Sequence, residues 1–193
     1  MSRHVPECHA EADRRKYRVE AQDSQNGQSS SDGMSGTDAA QHVIKAPVSG
    51  TVVPLEEVPD PVFNSGMLGQ GCGIWPEENY LRAPFDGVVS SISHTNHGIV
   101  LTSDTGVQCI VHVGIDTCEM QGKGFARLVE KGQHFCEGDP LMRFSIDAIR
   151  KSGYREIVVC VVLNSEQYRE IDLMPEEGHV AAGEPLLLAE AAA

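Results

Sequence analysis

From His42 onward the chain is a series of short apolar segments rich in Val and Ile. Gly, Pro, Asp and Asn separate these segments at intervals of about ten residues, a spacing typical of a sandwich or barrel of short strands. The pattern allows helix in two places, residues 145–151 and a single turn over residues 61–66. We therefore predict that residues 42–193 form one all-β domain, an antiparallel sandwich or barrel-like body with very little helix.

Residues 1–41 have a different pattern. In residues 22–41, 17 of the 20 side chains are Gln, Ser, Gly, Asp, Asn or Thr. So few apolar groups cannot offset the conformational entropy lost on ordering. Residues 1–21 carry mixed charge without a sustained apolar stripe. We expect residues 1–41 to be a disordered N-terminal tail or linker.

The charge of the chain narrows the choice of partners. Lys and Arg number 15 against 28 Asp and Glu, which gives a net charge of −13. This balance argues against binding to nucleic acid or to an anionic membrane surface, and it favours a basic protein partner. The longest apolar run, residues 157–163, is far shorter than the roughly 20 residues of a membrane-spanning helix. Residues 1–21 also lack the apolar segment of a secretory signal, so we expect a soluble cytoplasmic protein.

Two histidines lie in a predicted hairpin. The turn signal of residues 103–106 (Ser-Asp-Thr-Gly) separates two β-like segments. A loop of two or four residues centred on this turn places His97 directly opposite His112, with Cβ atoms about 4.5 to 5.5 Å apart. The alternation of the second strand gives two sets. They are a core set of Val107, Cys109, Val111 and Val113, and an accessible set of Gln108, Ile110 and His112.

Two adjacent imidazoles allow three interpretations. They can be structural histidines that hydrogen-bond within a sheet. They can be a metal pair, which needs a third protein ligand, and Asp116 is the nearest candidate. They can also be a nucleophile and a neighbour that hydrogen-bonds the group it receives. The opposition of His97 and His112 does not decide among the three interpretations. A register slip of one residue would remove that opposition.

Several short motifs occur in one order between residues 42 and 190. They are Ala46-Pro47-x-x-Gly50, Val58-Pro59-Asp60-x-Val62-Phe63, Gly69-x-Gly71-x-Gly73-Ile74, Ala83-Pro84-x-Asp86-Gly87, Thr95-Asn96-His97, His112-Val113-Gly114-Ile115-Asp116-Thr117 and Gly132-Gln133 with Gly138-Asp139. Together they resemble the glucose-family enzyme IIA domain of the bacterial phosphoenolpyruvate-dependent sugar phosphotransferase system. This family has an antiparallel β-sandwich or barrel-like fold, in agreement with the pattern above.

The resemblance implies a phosphocarrier. His112 would accept a phosphoryl group from the phosphohistidine of the small histidine phosphocarrier protein and pass it to a cysteine of the cognate enzyme IIB, part of a IIB/IIC sugar permease in the membrane. His97 would hydrogen-bond the phosphoryl oxygens, and Thr95 would orient one imidazole. No cofactor is required, although a zinc ion on His97 and His112 at a partner interface is compatible with the family. Residues 83–122 contain no Lys or Arg that would trap the phosphoryl group.

The resemblance also implies a partner surface, an apolar ring around the site with acidic residues outside it. The ring consists of Val62, Phe63, Met67, Leu68, Ile110 and Cys118, and Asp116 and Glu119 are candidates to meet arginines of partners. Ser93 and Ile110 stand where many family members carry phenylalanine. The alternative function is a catalytically silent regulator that binds metabolic enzymes or transporters through the same face. The chain does not encode the identity of the sugar.

Overall fold

The computed structural model describes residues 40–174 and 178–192, so the predicted tail lies outside the described residues except for Ala40 and Gln41. The described part contains fourteen strands and two short α-helices, which confirms the all-β class. The strands are β1 (Gln41–Lys45), β2 (Gly50–Pro54), β3 (Gln70–Pro76), β4 (Tyr80–Arg82), β5 (Gly87–Ile92), β6 (Gly98–Ser103), β7 (Gln108–Ile115), β8 (Phe125–Arg127), β9 (His134–Phe135), β10 (Pro140–Phe144), β11 (Arg155–Val162), β12 (Tyr168–Leu173), β13 (Gly178–Val180) and β14 (Pro185–Ala191). The helices are α1 (Pro61–Asn64) and α2 (Ile146–Lys151), and 3₁₀ turns cover Leu55–Glu57, Thr117–Met120 and Ser165–Gln167.

The described strands pair antiparallel in three sheets. The largest has eight strands in the order β13-β2-β3-β11-β7-β6-β5-β9. The two smaller sheets have the orders β1-β14-β12 and β4-β10-β8. Strands β11 and β7 lie next to each other in the middle of the large sheet, so side chains on them are held by neighbours on both sides. In the described ranges, no helix is both long enough and apolar enough to cross a membrane.

The large sheet separates two hydrophobic clusters. Along β11, Val158, Cys160 and Val162 belong to the main core. The alternate residues Ile157, Val159 and Val161 belong to a second, smaller cluster. Because successive side chains of a strand point to opposite faces, the two clusters lie on opposite faces of this strand. Residues 157–162 of the uninterrupted apolar run therefore form a strand that is buried on both faces.

The hairpin of β6 and β7 has a different register from the predicted one. Gly98, and not His97, is the residue opposite His112, so the prediction of direct His97–His112 opposition is wrong by one residue. The loop has three residues, because Ser103 pairs with Val107 through a hydrogen bond from the Ser103 N–H to the Val107 carbonyl (2.8 Å). Gly106 closes this loop at φ 96°, a conformation that suits glycine. The predicted faces of β7 are confirmed, since Val107, Cys109, Val111 and Val113 are buried while Gln108, Ile110 and His112 are not.

Both predicted helical segments are present and capped. The Ser145 hydroxyl accepts a hydrogen bond from the Ala148 N–H at the start of α2 (3.2 Å). At α1, Oδ1 of Asp60 accepts hydrogen bonds from the N–H groups of Val62 (2.8 Å) and Phe63 (3.2 Å). These caps satisfy amides that a helix leaves unpaired at its first turn. The cap on α1 fixes the direction of Phe63, which packs into the second cluster.

Candidate functional site

His112 lies in the middle of a row of residues across the large sheet. Gly98 of β6 is opposite on one side, and Val159 of β11 is opposite on the other. A Cβ atom on Gly98 would lie 3.3 Å from Cδ2 of His112, so the glycine leaves room for the imidazole. The Phe63 ring covers the imidazole from α1, with ring centroids 5.1 Å apart. The His112 ring is thus held between the Phe63 ring on one side and Gly98, which has no side chain, on the other.

His97 reaches His112 in spite of the register difference. Strand β6 begins only at Gly98, and Asn96 has φ 57°, so the chain bends before His97 and the alternation of the strand does not apply to it. The His97 carbonyl accepts a hydrogen bond from the Val113 N–H (2.7 Å), which ties this bend to β7. The two imidazole centroids are 4.7 Å apart, with an interplanar angle of 80°. His97 and His112 are therefore neighbours, as predicted. A bend before His97 brings them together, and they are not directly opposite each other in the hairpin.

Two hydroxyl groups contact Nδ1 of His97. Oγ1 of Thr95 is 2.5 Å from it, and Oγ of Ser93 is 3.2 Å from it. The Ser93 oxygen also accepts hydrogen bonds from the backbone N–H groups of His97 and Gly98, both at 3.0 Å. Thr95 was expected to orient one of the two imidazoles. In the structure its hydroxyl contacts the imidazole of His97. The contacts of Ser93 were not predicted, because the sequence marks it only as a departure from phenylalanine.

The two nitrogens of the His112 ring differ in access. Nδ1 is buried and makes no hydrogen bond of full geometry within the described residues, although the Gly114 backbone is close enough to the ring to raise the pKa of His112 as a hydrogen-bond partner. Nε2 has no hydrogen bond to the described residues and is not among the buried atoms that lack a partner, so it is the nitrogen on the accessible side. A neutral imidazole carries one proton and one free lone pair. With the proton on Nδ1, the lone pair of Nε2 points outward and can attack an electrophile.

The surroundings keep both imidazoles neutral at pH 7. The pKa of His112 falls from 6.5 to about 4, mainly because burial disfavours the charged ring and secondly because a charged His97 would repel it. The Gly114 backbone and the Asp60 carboxylate act in the opposite direction. Burial also lowers the pKa of His97. Both rings therefore retain a lone pair at neutral pH, as nucleophilic catalysis requires.

A family model described as "phosphoenolpyruvate-dependent sugar phosphotransferase system, EIIA 1" matches residues 42–168, about two thirds of the chain. The chain belongs to this family. The fold is also similar to that of glucose permease IIA from Mycoplasma capricolum, with a TM-score of 0.67 and 26% sequence identity over 77% of this chain and 96% of that one. The protein is thus a glucose-family enzyme IIA domain, a phosphotransferase component in sugar transport, as the motifs indicated.

Asp60 belongs to the site of this enzyme IIA domain, although we did not predict it as a site residue. Its carboxylate acts on the pKa of His112, and it caps the helix that carries Phe63. The sequence signal was available, since Asp60 precedes a proline and two apolar residues, the pattern of a helix N-cap. One side chain therefore supplies both a charge near His112 and the support for its aromatic cover.

The structure places most of the predicted ring at the surface of the enzyme IIA domain. Val62 is 54% exposed, Met67 86% and Leu68 36%. Asp116, Cys118 and Glu119 are exposed, and Ile110 is partly buried. Phe63 differs from the expectation: it is 6% exposed and packs against the His112 ring.

The segment that carries Asp116, Cys118 and Glu119 lies beside the Thr95 loop. A Cβ on Gly122 at the end of this segment would lie 3.6 Å from the Thr95 carbonyl oxygen. Asp116 itself has φ 58° and starts the 3₁₀ turn directly after β7. The buried Thr117 hydroxyl donates a hydrogen bond to the Val113 carbonyl (2.6 Å), which fixes the turn against the strand. The acidic residues are therefore held directly after the strand that carries His112.

The metal interpretation lacks a third ligand within residues 40–174 and 178–192. Among the described residues, no group of three or more His, Cys, Asp or Glu side chains could hold a metal ion. Asp116 therefore does not complete a site with His97 and His112. Two imidazoles are half of the four ligands that zinc takes in most protein sites. A zinc ion at this position would need ligands from outside the described residues.

Proposed function

We propose that Nε2 of His112 accepts a phosphoryl group from the phosphohistidine of the histidine phosphocarrier protein and passes it to a cysteine of the cognate enzyme IIB. The observation that carries the proposal is the accessible Nε2 of a neutral imidazole beside a second imidazole. In the first step the P–N bond of the donor breaks as the Nε2 lone pair forms a new one. In the second step the cysteine thiolate forms a P–S bond, and His112 regains its lone pair.

The site performs this transfer by positioning and electrostatics. Phosphoryl transfer needs little covalent work from the protein beyond alignment of the attacking and leaving atoms. Gly98, Phe63 and Val159 hold the His112 ring in place, which removes the cost of orienting it in each transfer. Residues 83–122 supply no Lys or Arg to bind the phosphoryl oxygens strongly. The phosphoryl group is therefore held weakly enough to move on to the next acceptor.

His97 has the second role in this mechanism. Its ring lies 4.7 Å from the His112 ring, close enough for a hydrogen bond to oxygens of a phosphoryl group on Nε2. Thr95 holds the far nitrogen of His97 at 2.5 Å and so orients the ring for that contact. These oxygens develop charge during transfer, and a positioned donor stabilises that charge. His97 therefore serves the transition state more than the resting protein.

The exposed ring and the acidic residues support the proposed partners. The histidine phosphocarrier and enzyme IIB would dock apolar groups on Val62, Met67 and Leu68, and basic groups on Asp116 and Glu119. The enzyme IIA domain would work in the cytoplasm and meet the IIB/IIC permease transiently at the membrane. The same ring would serve a regulator that binds metabolic enzymes or transporters. Zinc shared between His97, His112 and such a partner is a further proposal, and the relay itself requires no cofactor.

The test is a reconstituted relay. Labelled phosphoenolpyruvate, enzyme I, the phosphocarrier and enzyme IIB are mixed with and without the protein, and label on the IIB cysteine is measured by rapid quench. We expect labelled IIB only when the protein is present. Label that accumulates on the protein and never reaches any cognate IIB would contradict the relay and support the regulator. Label on neither protein would also contradict the relay and would leave only a regulator that acts without being phosphorylated.

A further inference from the structure

The hydroxyl group of Ser93 contacts three hydrogen-bonding groups. A serine hydroxyl has one proton to donate and two lone pairs that accept. Oγ of Ser93 accepts from the His97 N–H and from the Gly98 N–H, each at 3.0 Å, so both lone pairs are occupied. Its other polar contact among the described residues is Nδ1 of His97, at 3.2 Å. Toward that nitrogen the hydroxyl can act only as a donor.

This restriction separates Ser93 from Thr95. The Thr95 hydroxyl, 2.5 Å from the same Nδ1, can either donate a proton to it or accept one from it. Thr95 alone therefore leaves the tautomer of His97 open. A hydrogen bond between the Ser93 hydroxyl and Nδ1 therefore requires Nδ1 to be the acceptor, which places the proton of the neutral His97 ring on Nε2.

We propose that Ser93 is a positioning residue that holds His97 as the Nε2–H tautomer by donating its hydroxyl proton to Nδ1. The inference rests on the proposed function, because the tautomer matters once a phosphoryl group is on His112. In this form His97 presents an N–H group to the anionic oxygens. The other tautomer would present a lone pair, which repels them. The backbone supports the arrangement, since the Ser93 N–H donates to the Gly98 carbonyl (2.8 Å) and closes the loop that carries His97.

The test is ¹⁵N NMR of the imidazole nitrogens of His97 in the full-length protein at about pH 8, above the ordinary histidine pKa. In the wild type we expect a protonated Nε2 and an unprotonated, hydrogen-bonded Nδ1. Ser93→Ala should raise the Nδ1–H fraction at least about threefold, the order expected for one lost hydrogen bond. Ser93→Thr keeps the hydroxyl and should restore the wild-type spectrum. Ser91→Ala, an exposed serine on β5, is the matched control and should change nothing.

Ser93→Ala also removes a backbone acceptor, so a second variant separates the two effects. Ser93→Asp still offers oxygen atoms to the two amides but has no proton to donate. It should convert His97 to the Nδ1–H tautomer while the amide shifts of the loop stay close to those of the wild type. Onward transfer of the phosphoryl group should then slow more than its uptake.

Three results would overturn the inference: a wild-type His97 protonated on Nδ1, a Ser93→Ala spectrum identical to the wild type, or a Ser93→Asp variant that retains Nε2–H. The NMR result does not depend on phosphoryl transfer. If His112 takes up no phosphoryl group, the proposed function fails whatever the tautomer is. If uptake and transfer occur but the tautomer ignores Ser93, only the inference fails.

Discussion

At the scale of single residues, the site depends on His112, whose imidazole stays neutral at pH values at which an ordinary histidine begins to take up a proton. The cost of protonating His112 comes from its buried position against Phe63 and from the neighbouring His97 ring. Both causes also bear on the proposed chemistry, because the relay needs a neutral ring as its nucleophile. The free energy of unfolding and the reactivity of the ring therefore depend on the same proton. A measurement of one of them also tests the protonation state that the other requires.

The free energy of unfolding should depend on pH because of the protonation of His112. The folded pKa of about 4 lies below the ordinary 6.5, so above pH 6.5 His112 is neutral in both the folded and the unfolded state. As the pH falls from 6.5 to 4, the unfolded state takes up the proton and the folded state does not. The free energy of unfolding should therefore fall by up to about 3 kcal/mol over this window. Urea unfolding of the wild type and His112→Gln at several pH values measures the difference.

The His112→Gln variant should lack this part of the decline, since glutamine does not titrate. His94→Gln, which replaces an exposed histidine of the neighbouring loop, is the control and should follow the wild type. If the wild type and His112→Gln lost stability in parallel between pH 6.5 and 4, the lowered pKa of His112 would be wrong.

His97 should matter more for donation of the phosphoryl group than for its uptake. His97→Gln leaves Nε2 of His112 accessible, so the variant should still be labelled. It loses the imidazole that we propose to contact the phosphoryl oxygens during transfer, and donation to enzyme IIB should slow at least about tenfold, or about 1.4 kcal/mol. Rapid-quench measurements of both steps test this expectation. Equal donation rates for variant and wild type would remove His97 from the transfer step.

At the scale of elements, the alternation of β7 was predictable and the register of its hairpin was not. Apolar residues at every second position give the faces of a strand directly. The register depends on whether the loop has two, three or four residues, and here the positive φ of Gly106 selects three. The proximity of the two histidines was predicted on the assumption of direct pairing. It arises instead from the bend at Asn96, which no periodicity in the sequence reveals.

Helix α1 gives a test that separates charge from capping. Asp60→Asn keeps an oxygen that can accept from the Val62 and Phe63 amides, so the free energy of unfolding should stay close to the wild-type value. It removes the negative charge that raises the pKa of His112, so His112 should titrate at a lower pH. Asp60→Ala removes the cap as well and should cost about 1 kcal/mol.

NMR titration of His112 and urea unfolding of both Asp60 variants measure these effects. An unchanged His112 titration in Asp60→Asn would show that the carboxylate does not act on the site. An Asp60→Ala variant as stable as Asp60→Asn would show that the cap contributes nothing to α1.

At the scale of the whole molecule, the β class followed from strand spacing, but the arrangement of the sheets did not. Strand β11 pairs with β3 and β7, which are distant in sequence, and local patterns do not specify such partners. The two clusters on opposite faces of β11 follow from that pairing. The burial of Phe63 was missed for the same reason, because the second cluster exists only after β11 is in place. The predicted boundary between residues 41 and 42 stays a prediction, although β1 begins at Gln41.

The net charge predicts how the partners meet. Residues 42–193 contain 21 acidic and 10 basic side chains, a net of −11. Attraction to a basic partner face should speed association and weaken as the ionic strength rises, while the apolar ring should keep dissociation almost independent of salt. Asp116→Asn should lower both the association rate and its salt dependence. Stopped-flow measurements with a flat association rate, or an unchanged salt slope in the variant, would leave shape and apolar contact as the basis of recognition.

Intact mass spectrometry shows directly whether His112 carries the phosphoryl group. The protein is incubated with phosphoenolpyruvate, enzyme I and the histidine phosphocarrier, and its intact mass is recorded before and after brief treatment with acid. We expect a gain of one phosphoryl group in the wild type, its loss in acid because a phosphohistidine bond is acid-labile, and no gain in a folded His112→Gln variant. A phosphorylated His112→Gln, or a wild-type adduct that survives acid, would contradict this expectation.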